Sequence, residues 1–196
     1  MAFKMFMALF MVLSMAGFTK EVKDESTGLT FPDKVTIEKD GKTFQLTNTG
    51  VATRRKLIVK VYSIASYLQD GAFKGGDKFQ VLESDEFAKE LILKFNHEVS
   101  AEKLRNSFLE SFKNNLSPAD YSNLQPIIDR TLGIFPDVKP GDELVIRALP
   151  GGYVDLSLNG KELIKDTNAA FVKALWATWI GPNSVVKREN LVSNLQ

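Results

Sequence analysis

Arg54 and Arg55 stand side by side before Leu57 to Leu68 (LIVKVYSIASYL), a segment whose β-branched and aromatic residues read as a strand. A guanidinium at the mouth of a buried segment requires an anion, because its desolvation is otherwise uncompensated. Binding or stabilising negative charge is therefore the chemistry this pair can do, with Arg54 ranked first and Arg55 second. Other chemistries are closed off by composition. The chain has no cysteine and one histidine, His97, so thiolate metal sites, disulfides and cysteine nucleophiles are impossible, and any serine triad would depend on one imidazole. No cofactor and no metal are expected.

The elements that must position these residues begin with Gly50 to Leu68, read as one long strand. From Leu57 onward, Val59, Val61, Ser63, Ala65 and Tyr67 share one face, and Ile58, Lys60, Tyr62, Ile64, Ser66 and Leu68 share the other. With only Lys60 charged, such a strand is expected to be covered on both sides, by the core on one and a ligand cleft on the other. Val35 to Glu38 and Thr43 to Thr47 form a hairpin about Asp40-Gly41. Ser84-Asp85-Glu86 is read as the cap of a short helix through Leu91, and Leu91 to Phe95 as a strand. Ser100 caps a helix with Leu104, Phe108 and Phe112 on one stripe, and Ser117-Pro118 opens another that packs against it. A second hairpin spans Asp142 to Leu158, and Asn159-Gly160 marks a further turn. Thr167 or Asn168 caps a helix through Ile180, stopped by Gly181-Pro182, and Ser184 to Leu195 reads as a last amphipathic helix. Blocks of strands and blocks of helices predict an α+β layer fold.

The N-terminus carries a different signature. Met1 to Lys4 is a short basic region, Met5 to Met15 an apolar run, and Ser14-Met15-Ala16 supplies small residues at the −3 and −1 positions. All five methionines lie here. Residues 1–16 are expected to be a signal peptide cut before Gly17, with a periplasmic or secreted product; the alternative is an N-terminal membrane anchor. Residues 17–28 are read as a polar linker and 29–196 as one domain. Without Lys4 the acidic and basic residues are equal in number, which argues against nucleic acid as a partner.

Trp176 and Trp179 share a helical face with Val172 and are read as a core stripe, His97 as a rim residue, and Lys187-Arg188-Glu189 as a solvated helix face. Gly75-Gly76 and Gly151-Gly152 lack the strand-to-helix context of a phosphate loop and are read as turns.

Gly50 to Leu68, above all Lys60 to Leu68 (KVYSIASYL), resembles the signature strand of the chalcone isomerase superfamily in its bacterial chalcone isomerase-like branch, and Thr178-Trp179-Ile180-Gly181 resembles that family's closing helix. The resemblance implies an open-faced β-sandwich: a large antiparallel sheet with helices layered on one face and a cleft between them. Enzymes of the family close chalcones to flavanones with an arginine, a threonine and a tyrosine, helped by an asparagine and a serine or threonine. Members without isomerase activity bind fatty acids through the arginine and a tyrosine. On this resemblance the arginine falls on Arg54, the enzyme's threonine is replaced by Tyr62, Thr178 matches the hydroxyl of the closing helix, and the asparagine position lands at Asn106 or Ser107. No tyrosine lies between Asn96 and Ala101, where the enzymes place theirs. The expected ligand is thus a fatty acid or similar amphipathic carboxylate bound without turnover, with a chalcone-type isomerase as the alternative. One geometric condition applies. On a straight strand Arg54 and Tyr62 would be about 26 Å apart, so they can share a ligand only if the backbone turns or bulges between Thr53 and Leu57.

Overall fold

A computed structural model describes residues 20–196. The expected signal peptide and the Gly17 cleavage point lie outside the described residues. Glu21–Lys23 (β1) lies inside the stretch expected to be a linker and pairs antiparallel with Thr30–Pro32 (β2). The remaining strands form one seven-stranded antiparallel sheet in simple sequence order: Lys34–Lys39 (β3), Lys42–Lys56 (β4), Val59–Gln69 (β5), Lys89–Phe95 (β6), Glu143–Leu149 (β7), Tyr153–Leu158 (β8) and Lys161–Thr167 (β9). Each neighbour in the sheet is the next strand in sequence; tight turns join β3 to β4, β4 to β5, β7 to β8 and β8 to β9, while helical connections join β5 to β6 and β6 to β7. The Asp40-Gly41 turn takes φ of 50° and 74°, as the hairpin chemistry of Asp-Gly predicts.

Four helices cover one face: Lys78–Glu83 (α1), Ala101–Asn115 (α2), Pro118–Gly133 (α3) and Ala169–Ile180 (α4). Ser100, Ser117 and Asn168 cap α2, α3 and α4 by accepting from the backbone N–H of Lys103, Asp120 and Phe171. α4 is apolar nearly all round, and eight of its residues are buried, from Phe171 to Ile180; such a helix belongs in the middle of a layer. Trp176 and Trp179 are fully buried in it. The side chains of β5 divide the core: Tyr62, Ile64 and Leu68 point into the helix-side cluster, whereas Ala65 and Tyr67 join a smaller cluster with Phe31, Leu46 and Ile92 on the opposite face. The strand is covered on both sides, from Tyr62 to Leu68.

Four expectations are corrected. Gly50 to Leu68 is not one strand: the chain reverses at Leu57-Ile58, so its first part belongs to β4 and its second to β5. The short helix precedes Ser84 instead of following it. Asp77 caps it by accepting from Phe79 and Gln80, and Ser84 terminates it. Ser184 to Leu195 is not a long helix; only Arg188–Val192 is helical, as a short 3-10 turn, because this segment bonds to the sheet. Asn194 N–H donates to the Thr49 carbonyl, and the Thr49 hydroxyl donates to the Leu191 carbonyl. Arg188 consequently lies half-buried over the Phe79 ring, donating to the Ile180 carbonyl, instead of on a solvated face.

Candidate functional site

The β4–β5 register makes Arg54 and Tyr62 direct cross-strand partners. Two local features bring this about. The Leu57-Ile58 turn folds the segment back on itself, and between the pairs Arg54–Tyr62 and Arg55–Lys60 the residue Val61 is left over as a β-bulge. A bulge re-aims neighbouring side chains, and Val61 and Tyr62 both line the same cleft. Directly opposed residues in an antiparallel pair have Cβ atoms about 5 Å apart. A reversal that lets the two residues share a ligand is therefore present, but it falls at Leu57-Ile58, with the bulge at Val61, and not between Thr53 and Leu57.

The cleft lies between the end of the sheet and the helices, with a volume of about 370 Å³, within the range of small-molecule sites. Its walls are apolar: Val61, Leu93, Phe95 and Leu144 from the sheet, Leu104 and Phe108 from α2, and Trp179 from α4. The aromatic members are locked by edge contacts, Tyr62 with Phe95 at 5.6 Å and Phe108 with Trp179 at 5.7 Å between ring centroids. His97, Glu98 and Lys103 stand at its exposed rim.

Polar groups converge at one end. The Arg54 guanidinium donates through Nη1 to the Val185 carbonyl at 2.8 Å. Among the described residues no carboxylate lies within ion-pair distance of it. None of its five donors is committed to an anion among the described residues, and four have no protein partner there. The Tyr62 hydroxyl accepts from the Trp179 indole N–H at 2.9 Å. That bond occupies a lone pair and leaves the phenolic proton free to be donated. Burial pushes the Tyr62 phenol up to about 12, against smaller downward effects of the Trp179 bond and the Arg54 charge, so it is a neutral donor at ordinary pH. The Thr178 hydroxyl lines the cleft, buried, with no hydrogen-bond partner among the described residues.

Of the residues expected to form the site, the structure brings Arg54, Tyr62, Ser107 and Thr178 into one cleft. Ser107 is exposed on α2 near the rim, and Asn106 is exposed and outside the lining. Arg55 belongs to a separate polar depression with Asp24, Ser26 and Thr53. Trp179 combines the core role with a contact that sequence reasoning missed, its indole N–H orienting the Tyr62 hydroxyl. The carbonyl of Val185 was missed for the same reason: 131 positions separate it from Arg54, and no local pattern reports such a contact.

A family model described as chalcone isomerase-like matches residues 23–191, which include the whole seven-stranded sheet and all four helices. The chain belongs to the chalcone isomerase-like family. No curated protein matches it by sequence. Among solved structures it is similar to a fatty-acid binding protein of Arabidopsis thaliana, with a TM-score of 0.72, 17% identity, and coverage of 89% of this chain and 97% of that one. At this identity the likeness shows the chalcone isomerase fold: an antiparallel sheet with helices on one face, as the resemblance implied. Within this chalcone isomerase-like chain, the positions between Asn96 and Ala101 are held by His97, Glu98, Val99 and Ser100, and the first three line the cleft.

Proposed function

We propose that this protein binds a fatty acid, or a similar small amphipathic carboxylate, in the cleft between sheet and helices, without turning it over. The observation that carries the reading is the opposed pair Arg54 and Tyr62: a guanidinium with no protein carboxylate and a neutral phenol with a free proton, at the polar end of an apolar cleft. A carboxylate accepts from both, and charge-assisted bonds of this kind are short and strong. The apolar walls take the chain. The Arabidopsis fatty-acid binding protein of similar fold supports this ligand class.

The alternative, isomerisation of a chalcone-like enone, is less well served. Tyr62 stands where the resemblance places the enzymes' threonine. The rim segment from His97 to Ser100 offers no tyrosine. Native mass spectrometry of the purified protein, followed by calorimetric titration with a long-chain fatty acid, tests the reading: one fatty acid bound per chain is expected, and no saturable binding would refute it. The basic start and the Ser14-Met15-Ala16 site further support export. The mature protein is then expected to begin at Gly17, which intact-mass measurement of cell fractions checks.

A further inference from the structure

The apex of the β4–β5 hairpin has the wrong chemistry for a turn that faces only water. Lys56 and Val59 are its last paired residues, so Leu57 and Ile58 form a two-residue turn. Leu57 takes φ 56°, a conformation free to glycine and unfavourable for a leucine. Turns of this length ordinarily carry Gly, Asn or Asp. Both side chains stand almost wholly in solvent, Leu57 at 94% and Ile58 at 92% exposed. Backbone strain and exposed aliphatic surface at adjacent positions are costs that nothing within the fold offsets.

The hairpin that carries the apex is one-sided in charge, while Asp24 and Glu25 share the depression beside Arg55 and Glu98 lines the cleft with Leu57. From Lys42 to Gln69 the hairpin contains Lys42, Arg54, Arg55, Lys56 and Lys60 and no acidic residue. Arg55, Lys56 and Lys60 are exposed beside the apex, the Lys60 ammonium also donating to the Ser26 carbonyl. Elsewhere in the chain acidic and basic residues are interspersed, and the whole carries a formal charge of only +1. Two aliphatics ringed by three cations are complementary to an interface with anions at its surface and hydrocarbon beneath. The shape narrows the choice further. A protruding two-residue apex offers little of the roughly 800 Å² per partner that a stable protein interface needs, whereas a bilayer receives a convex point without a matching groove.

We propose that the Leu57-Ile58 apex docks on anionic phospholipid bilayers, the two side chains entering the headgroup–acyl boundary while Arg55, Lys56 and Lys60 lie against lipid phosphates. Leu57 and Val59 also line the cleft, so docking sets the mouth of the cleft against the bilayer. An acyl chain then passes between them without crossing water. This last consequence rests on the fatty-acid reading; the bilayer contact does not.

The chain has no cysteine, so one introduced thiol can be labelled uniquely. Ile58→Cys carrying an environment-sensitive fluorophore, in the full chain, is mixed with phosphatidylglycerol or phosphatidylcholine vesicles. A blue shift is expected with phosphatidylglycerol and not with phosphatidylcholine, and none from the same label at Asp40→Cys, in the turn at the other end of β4. Reversing Arg55 and Lys60 to Glu should weaken vesicle binding at least about tenfold, since each surface cation contributes roughly fivefold, while leaving fatty-acid affinity unchanged, because neither residue lines the cleft. No shift with either vesicle, or an equal shift with both, overturns the proposal. A persisting shift in a protein that binds no fatty acid would refute the ligand reading alone.

Discussion

Arg54 and Tyr62, eight positions apart in the chain, face each other directly across the β4–β5 hairpin, and the oxygen of Tyr62 is held by the Trp179 indole from α4 at 2.9 Å. The hairpin supplies the spacing and the helix layer supplies the orientation. Both donors thereby point to one end of a cleft whose remaining surface is mostly apolar. The pair is anchored from a third side by the Val185 carbonyl, which fixes one edge of the guanidinium and leaves the other for a ligand.

Removing the guanidinium should leave a bound carboxylate desolvated and unpaired. Arg54→Ala is expected to weaken long-chain fatty-acid binding by about 2–5 kcal/mol, and Tyr62→Phe, which removes one hydrogen bond to a charged group, by roughly 1.5–3 kcal/mol. Arg55→Ala should change little, since Arg55 lies in the separate depression with Asp24. Calorimetric titration of the three variants tests the assignment. Equal small losses would mean that the arginine pair does not hold the ligand.

Chalcone chemistry should be absent. With Tyr62 in place of a threonine and no tyrosine between Asn96 and Ala101, a simple hydroxychalcone is expected to cyclise at its spontaneous rate, followed by absorbance. Saturable turnover abolished by Arg54→Ala would establish the isomerase instead.

The pH dependence of binding has a definite shape. The Tyr62 phenol sits at about 12 when folded, above its ordinary 10, so the proton it donates is retained through neutral and mildly alkaline pH. Affinity should be flat from about pH 7 to pH 10 and fall as the phenol ionises toward pH 12. It should also fall on the acid side, as the ligand's carboxylate is neutralised below about pH 4–5; pairing with Arg54 lowers that point. Linkage adds a stability effect of the same sign at high pH: the unfolded tyrosine releases its proton from about pH 10 while the folded one keeps it, so stability declines from about pH 10 to about 12. Tyr62→Phe should flatten the alkaline limb of the binding curve, measured by titration, and make the alkaline limb of the stability curve, measured by chemical denaturation across pH, shallower without abolishing it, because burial also raises the Tyr67 and Tyr153 phenols.

The packing of the C-terminal segment on β4 depends on one glycine. Gly50 has φ 153°, and a Cβ there would collide with the backbone of Asn190 and Leu191. Gly50→Ala is expected to destabilise the fold by at least about 3 kcal/mol, a Tm decrease of roughly 6–12 °C for a chain of this size. Gly133→Ala, at the end of α3 with open space around it, should leave Tm nearly unchanged. A Gly50→Ala variant as stable as the parent would show that the Asn190 backbone is free to move away.

Local chemistry made several elements legible from the residues alone. Ser100, Ser117 and Asn168 cap helices where their hydroxyl or amide type predicts, and Asp40-Gly41 turns a hairpin because those residues tolerate positive φ. The reversal at Leu57-Ile58 was invisible for the converse reason: neither residue is a turn former, and their hydrophobicity continues a strand pattern. The short helix was misplaced because Asp77 and Ser84 both have cap chemistry, and only the packing of Leu82 into the core selects the stretch between them. The terminal helix failed because Thr49 and Asn48 on β4 capture the backbone and side chain of Leu191 and Asn194, bonds that compete with helical ones.

What the chain carries by itself is an inventory of chemical types in order: an arginine pair, a strand rich in tyrosine and aliphatics, a hydroxyl on an apolar helix, and no thiol. Residue type determines which chemistry is possible and, through short-range φ/ψ and capping preferences, where most elements begin and end. Which residues meet was decided only by tertiary structure. The Arg54–Tyr62 register, the Trp179 bond to Tyr62 and the Val185 carbonyl on Arg54 join positions 8, 117 and 131 apart. Such contacts are selected by the burial free energy of the whole core, a sum over many distant pairs, of which no local stretch of sequence holds more than a part.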